Sequence, residues 1–329
     1  MKPLGFGQVL DYTFRTFGRR FKILFPLTLL LWGLFVFVLE LVNVQTLFMD
    51  EEADLTIEFV LFLVIGLFLI FIGYVFTKPI LDSSIAHVTL KQFDGQPVQS
   101  ISEALQGIKS KIGKVIATHL IMLLFISIGF MFLMGIGILI MVVFFGVLDS
   151  GIGANLSVEE NILATIAFFF LILLFLIILS IPLVYLHIRF SLIIPIVVAE
   201  DTAFFNAFGR GWELTRSSFW RIFGLYFILR ILIGVVNGAL SMLITLVSLV
   251  LMVANITSLS GQWLIGIVVA LFTSALACIP YSLDPILFTL IYMDRRATRE
   301  GEDIRAKLEQ WKKEHTPSGP QVEGEVPSV

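Results

Sequence analysis

The chain has 329 residues, of which 58 % are hydrophobic and 14 % charged. That balance lies well outside the soluble globular range and excludes a soluble core domain. The formal net charge of −3 decides little, because the charges are sorted along the chain rather than mixed.

From the N-terminus, Met1–Lys22 holds five of the 22 basic residues. Within it Phe6, Leu10, Thr13 and Phe17 recur at i, i+4, i+7 and i+11, which predicts one apolar helix face. The uncharged run Ile23–Leu39 follows, then Asn43–Glu58 without a basic residue, then the uncharged run Phe59–Phe76. These runs approach the roughly 20 apolar residues needed to cross about 30 Å of hydrocarbon. Lys78–Lys114 brings five more cations and a second amphipathic set, Ile101, Leu105, Ile108 and Ile112. Val115–Leu148 is too long for an upright span, so its surplus must tilt, break near Gly135 and Gly137, or lie along the outer surface.

After the cation-free connection Asp149–Asn161 comes the run Ile162–Ile188. Arg189–Arg230 then carries five cations and a third amphipathic set, Phe208, Trp212, Thr215 and Phe219. Ile231–Leu283 must fold back once near Asn255–Gln262, and Pro285–Met293 closes the last span. Seven cations follow Met293 and account for the rest. Basic residues in short loops stay on the cytoplasmic side. The fold class is therefore all-α: a polytopic membrane protein with six transmembrane helices and both termini inside.

The first apolar run begins only after residue 22 and no small-x-small site follows it, so a cleaved signal peptide is not expected. A single cysteine, Cys278, leaves neither a disulfide framework nor a cysteine metal site.

The three amphipathic sets precede the first, third and fifth spans, and a cation stands two residues after each last member: Arg19, Lys114 and Arg221. Asp94 lies 18 residues before Ile112, and Asp201 lies 18 before Phe219. Pro79, Pro182 and Pro280 come late in the even-numbered spans, and Thr89-Leu90 before Asp94 matches Thr289-Leu290 before Asp294. The pattern predicts three tandem units, each an amphipathic helix and two spans, at about 1–94, 95–201 and 202–294. Two crossings return each unit to its starting side, so the copies share one orientation. The apolar faces of these helices fit the headgroup boundary, with Trp212 and Trp220 in the interfacial belt and cations near anionic lipid. Residues 294–315 continue as a basic amphipathic cytoplasmic helix, and the Pro-, Gly- and Ser-containing stretch 316–329 reads as a disordered tail.

Ionisable groups inside apolar runs are expensive and usually face the bundle interior. Arg230 lies about nine residues into the fifth span, roughly 13 Å along a helix. Either Asp82 or Asp284, near the inner ends of spans two and six, can be its partner. Arg189 precedes Asp201 by 12 residues as Asp82 precedes Asp94, so the two occupy equivalent positions of opposite charge, suited to an ion pair between copies. His119 sits one turn into the third span; a lone intramembrane histidine more often bonds a neighbouring helix than a metal. These five residues form the candidate intramembrane cluster. No phosphate-binding loop, nucleophile elbow or HExxH motif is present, and no folded module would support nucleic-acid binding. No cofactor or metal is expected.

Two segments resemble a known family. One runs from Ala199-Glu200-Asp201 through Ala207 and on through Trp212-Glu213-Leu214-Thr215-Arg216-Ser217-Ser218-Phe219-Trp220-Arg221-Ile222. The other, Leu290-Ile291-Tyr292-Met293-Asp294-Arg295-Arg296-Ala297-Thr298-Arg299-Glu300-Gly301-Glu302-Asp303, resembles the Tyr-Tyr-Asp-x-Arg-x-Arg-x-Glu-Gly-x-Asp signature that closes the last span of that family. The family is the membrane domain fused to some bacterial glycerophosphodiester phosphodiesterases, which also occurs alone. Arg295 and Arg296 stand together here, with Arg299 three further on, where the family's first arginine follows the aspartate by two. The resemblance implies a six-helix bacterial inner-membrane bundle. It does not imply phosphodiesterase activity, which belongs to a separate barrel domain, and it carries over no catalytic residue. Asp294, Arg295, Arg296 and Arg299 are then expected to form a charged cytoplasmic hinge at the lipid edge.

The expected function is a non-enzymatic scaffold or accessory component of the bacterial plasma membrane. Its partners would be the bilayer, anionic lipid headgroups and a membrane protein that the sequence does not identify. The alternative is a small transporter or channel-like protein with a polar path lined by Arg230, Asp82 and Asp284. An intramembrane lipid-modifying enzyme is the third reading.

Overall fold

A computed structural model describes residues 4–46, 57–147, 158–202, 204–253 and 259–315. The described part is helical, in the order α1 (Phe6–Arg19), α2 (Phe21–Thr46), α3 (Ile57–Ile72), α4 (Lys78–Phe93), α5 (Ile101–Gln106), α6 (Ile112–Val147), α7 (Val158–Phe190), α8 (Ile193–Glu200), α9 (Phe205–Arg216), α10 (Phe219–Val253), α11 (Leu259–Tyr281) and α12 (Leu283–His315). A π-helical turn, Gly73–Thr77, joins α3 to α4. Six helical stretches are long and apolar enough to cross a membrane, within Phe21–Val42, Leu63–Phe93, Ile101–Leu139, Phe169–Glu200, Phe219–Met242 and Gly266–Gly301. Most of the three expected outer connections, and the tail 316–329, lie outside the described residues.

Apolar side chains divide between a buried centre and a bare exterior. In α4, Leu81, Ile85, Ala86 and Val88 are fully buried, as are Ile193, Ile196 and Val197 in α8 and Ile286 and Leu287 in α12. These three helices pack against one another. By contrast Met131 and Phe132 of α6 are 72 % and 70 % exposed, and Phe169 and Leu174 of α7 are similarly bare. Such a surface is stable against acyl chains but not against water.

Each of α4, α8 and α12 begins at a break behind an outer helix, and each carries a proline in its first turn: Pro79, Pro195 and Pro285. A first-turn proline loses no helix bond, because that N–H has no intrahelical partner anyway. Preceded by more helix, Pro79 would clash with the carbonyl four residues back, and the π turn over Gly73–Thr77 relieves this. The expected equivalence of Pro79, Pro182 and Pro280 does not mark the breaks. Pro182 lies inside continuous α7, and Pro280 lies within α11, just before its break.

Tight approaches set the positions of α2 and α3. A methyl group on Gly73 would stand 2.5 Å from a ring carbon of Phe35, so the turn lies directly on α2. α2 also runs along α11 in the most extensive helix pairing of the fold.

Of the three ways offered for the surplus of the third span, a break is excluded: α6 runs unbroken through Gly135 and Gly137, and its 36 residues make about 54 Å of helix, well over the hydrocarbon thickness. Other expectations need correction. The second amphipathic set is not one helix: α5 stops at Gln106, and a 3₁₀ turn, Lys109–Lys111, leads into α6. In the third set Phe219 already belongs to α10, after a turn in which the Ser218 amide donates to the Thr215 carbonyl. α1 also lies against protein, but on the side of Val9, Thr13 and Thr16, with α12 packed beside it; of the expected apolar face Leu10 and Phe17 are half-buried and Phe6 is exposed.

Candidate functional site

Five helices bring ionisable side chains to one cavity of about 290 Å³. Lys78 and Asp82 come from α4, His119 from α6, His187 from α7, Arg230 from α10 and Asp284 from α12. The first turns of α8 and α12 reach it as well, through Pro195 and Pro285. Helix starts carry partial positive charge, which suits Asp284 in the first turn of α12.

Its charges are matched in pairs. Arg230 Nη2 donates to Asp284 Oδ2 at 2.6 Å, and Lys78 Nζ donates to Asp82 Oδ1 one turn along α4. The Arg230 guanidinium also lies over the Tyr226 ring, 4.9 Å from its centroid. His187 and Tyr226 have ring centroids 5.1 Å apart, and His119 and Tyr74 have theirs 5.7 Å apart.

Several buried polar atoms are left over. Neither nitrogen of His119, nor His187 Nε2, nor Asp284 Oδ1 has a well-formed hydrogen bond among the described residues, although the Tyr74 backbone lies beside His119. Buried polar atoms are nearly always satisfied by protein, water or ligand, so these mark where a polar occupant is favoured. A nucleophile needs a base within hydrogen-bond reach. Ser191, the serine in the wall, instead gives its proton to the Ile188 carbonyl at 2.8 Å. Among the described residues no three His, Cys, Asp or Glu side chains are grouped to hold a metal ion.

Four of the five cluster residues named from the sequence, Arg230, Asp284, Asp82 and His119, thus line one cavity. Arg189 does not join them and makes no pair with Asp82. It is 7 % exposed and bonds Tyr185 Oη at 2.9 Å and Thr215 Oγ1 at 3.1 Å, with its charge over the Trp212 ring at 4.4 Å. Sequence reasoning did not assign Lys78 and His187 to the site. Lys78 was legible in its i, i+4 spacing from Asp82, whereas nothing local distinguishes His187.

The expected hinge is a clamp. α12 continues through Asp294 without a break, and the Asp294 side chain is 2 % exposed rather than at the lipid edge. It accepts from the Leu4 amide at 2.7 Å, from Arg221 at 3.1 Å and from Arg295 at 2.9 Å. Arg221 in turn donates to the Leu4 carbonyl, and Arg295 to Ser218 Oγ. One buried carboxylate therefore ties the N-terminal segment, the start of α10 and α12 together. Arg296 and Arg299 belong elsewhere. Arg296 pairs with Glu300 at 2.8 Å and donates to Tyr292 Oη, which itself donates to Glu200 at 2.9 Å. Arg299 donates to the Glu213 carbonyl at 3.5 Å.

Residues 158–318 match a known family, the membrane domain of glycerophosphoryl diester phosphodiesterase. The match covers α7 to α12 and both segments from which the resemblance was read, and it bears that resemblance out. No curated protein and no solved structure matches the chain. With six apolar helices of spanning length, the chain is a multi-pass helical membrane protein.

Proposed function

We propose, with that family resemblance as the premise, that the chain is a non-enzymatic intramembrane binding protein of the bacterial inner membrane. It holds a small zwitterionic or uncharged polar group, a lipid headgroup or a solute, and acts as an accessory component of a membrane process. The observation that carries this reading is the convergence of five helices on one charge-matched cavity with unpartnered polar atoms. With Lys78 and Arg230 each neutralised by a carboxylate, a net anion gains little there. A group offering both donors and acceptors satisfies His119, His187 and Asp284 together. The order of short, long and broken helix within each third of the chain supports three tandem units. The sorting of cations supports both termini being cytoplasmic; a reporter inserted between residues 153 and 158 should read as external, and a cytosolic signal there would reverse that topology.

The test uses glycerophosphoethanolamine, a soluble zwitterionic headgroup, added to the purified protein in detergent. At saturation it should raise the unfolding midpoint by about 3 °C, as expected for a ligand that binds only the folded state. The rise should vanish in His119→Phe. An unchanged midpoint for the native chain, or an equal rise in the variant, would overturn the reading. A transporter is the second reading, favoured because Arg230 lines both this cavity and an apolar groove on the flank of the bundle. Uptake of the same compound into proteoliposomes would select it.

A further inference from the structure

That groove runs between α7 and α10, with a volume of about 1280 Å³. Its two ends differ in character. Ile177 and Ile181 of α7 and Phe227 of α10 are 54 %, 62 % and 53 % exposed and form the apolar part of the upper wall, where Arg230, one turn beyond Phe227 and already paired with Asp284, also stands. From Ile177 to Arg189, α7 advances about 18 Å. At the lower end stand Arg189, Arg216, Arg221 and Arg295, with Trp220 beside them 77 % exposed, where α10 begins. Among the described residues no aspartate or glutamate lines the groove.

The cations are not all compensated from behind. Asp294 serves Arg221 and Arg295, and Asp284 serves Arg230. Arg216 has no ion pair among the described residues. Arg189 is more than nine-tenths buried, yet every hydrogen-bond acceptor around it is neutral: two hydroxyls and the Trp212 carbonyl. Its Nε has no hydrogen-bond partner among the described residues. The Tyr185, Trp212 and Phe219 rings offset part of the cost of burying this cation, but they supply no negative charge, so an anion reaching it is favoured.

We infer that the α7–α10 groove binds one anionic phospholipid, its phosphate held by Arg189 and Arg216 and its acyl chains lying on Ile177, Ile181 and Phe227. Charge complementarity at one end and bare apolar wall above it select a lipid over a soluble anion, because a free phosphate uses only the lower third. The site is separate from the polar cavity in its requirements: an anion here, a net-neutral group there. Arg230, common to both walls, is where they adjoin.

Native mass spectrometry of the full chain released from detergent micelles tests this, with dioleoyl phosphatidylglycerol or dioleoyl phosphatidylcholine supplied in turn. The native chain should retain one phosphatidylglycerol and little phosphatidylcholine. Arg216→Gln should lower that retention about fivefold, the effect of one basic residue near a charged headgroup. Ile181→Trp, which fills the apolar wall, should lower it comparably, while Arg15→Gln on α1 should leave it unchanged. Equal retention of the two lipids would overturn the inference, as would unaltered phosphatidylglycerol binding in both groove variants. Complete displacement of the lipid by inorganic phosphate would also overturn it, leaving an anion pocket only.

Discussion

Replacing Arg230 by leucine is expected to cost about 3 kcal/mol of stability, because it leaves the mostly buried Asp284 carboxylate without its partner. The loss comes from Asp284, whose short side chain is 19 % exposed and sits in the first turn of α12 with nowhere to move. The reverse change, Asp284→Leu, should cost less, about 1–2 kcal/mol, because the arginine left behind is longer, 45 % exposed and still over the Tyr226 ring. Replacing both together should cost no more than about 1 kcal/mol, since an apolar pair in hydrocarbon leaves no charge unmatched. Denaturant unfolding of the four proteins in one detergent gives the coupling directly. If the double variant loses the sum of the two single losses, the residues act independently and the pair does not organise the cavity.

Asp294→Ala should be the most damaging change outside the cavity. It removes the acceptor of two arginines and of the Leu4 amide at a side chain 2 % exposed. A loss of about 3–4 kcal/mol is expected, and it should be concentrated at the N-terminus rather than spread evenly. Trypsin should then cleave after Arg15, Arg19 and Arg20 about tenfold faster than in the native protein, because α1 loses its tie to α12. Asp294→Asn keeps an oxygen for Leu4 but no charge for the arginines, so it should fall between the two. Unaltered cleavage in Asp294→Ala would mean that α1 is held by its apolar contacts alone.

The spans were legible because hydrocarbon tolerates so few alternatives: an uncharged run of that length has little else it can be. The Arg230–Asp284 pair was legible as one of two options for the same reason, since each residue alone is too costly in an apolar run. Most of what failed depended on neighbours distant in sequence. Lys78 is the exception: its partner Asp82 lies one turn away, but a lysine beside a span reads first as a topology marker. Arg189 and Asp82 stand at the same distance before Asp201 and Asp94, but equal spacing does not bring residues together, and here aromatic rings hold the arginine instead. The breaks ahead of α4, α8 and α12 were not foreseen, because a proline inside a helix and one in a first turn read alike without the register. The close packing at Gly107 was equally invisible: a methyl group there would lie 2.1 Å from His87 Nε2, and the apolar spacing of Ile101, Leu105, Ile108 and Ile112 says nothing about it.

α12 is a single helix whose first turns belong to an apolar span and whose last turns are polar. Asp284 stands in its first turn, Asp294 about 15 Å further on, and Ile304 and Leu308, exposed, another 15–20 Å beyond. A lever of this kind has no joint in which to lose motion. Held at Asp294 as a fulcrum, it carries any tilt imposed on its inner tip to the opposite end, reversed in direction and comparable in size.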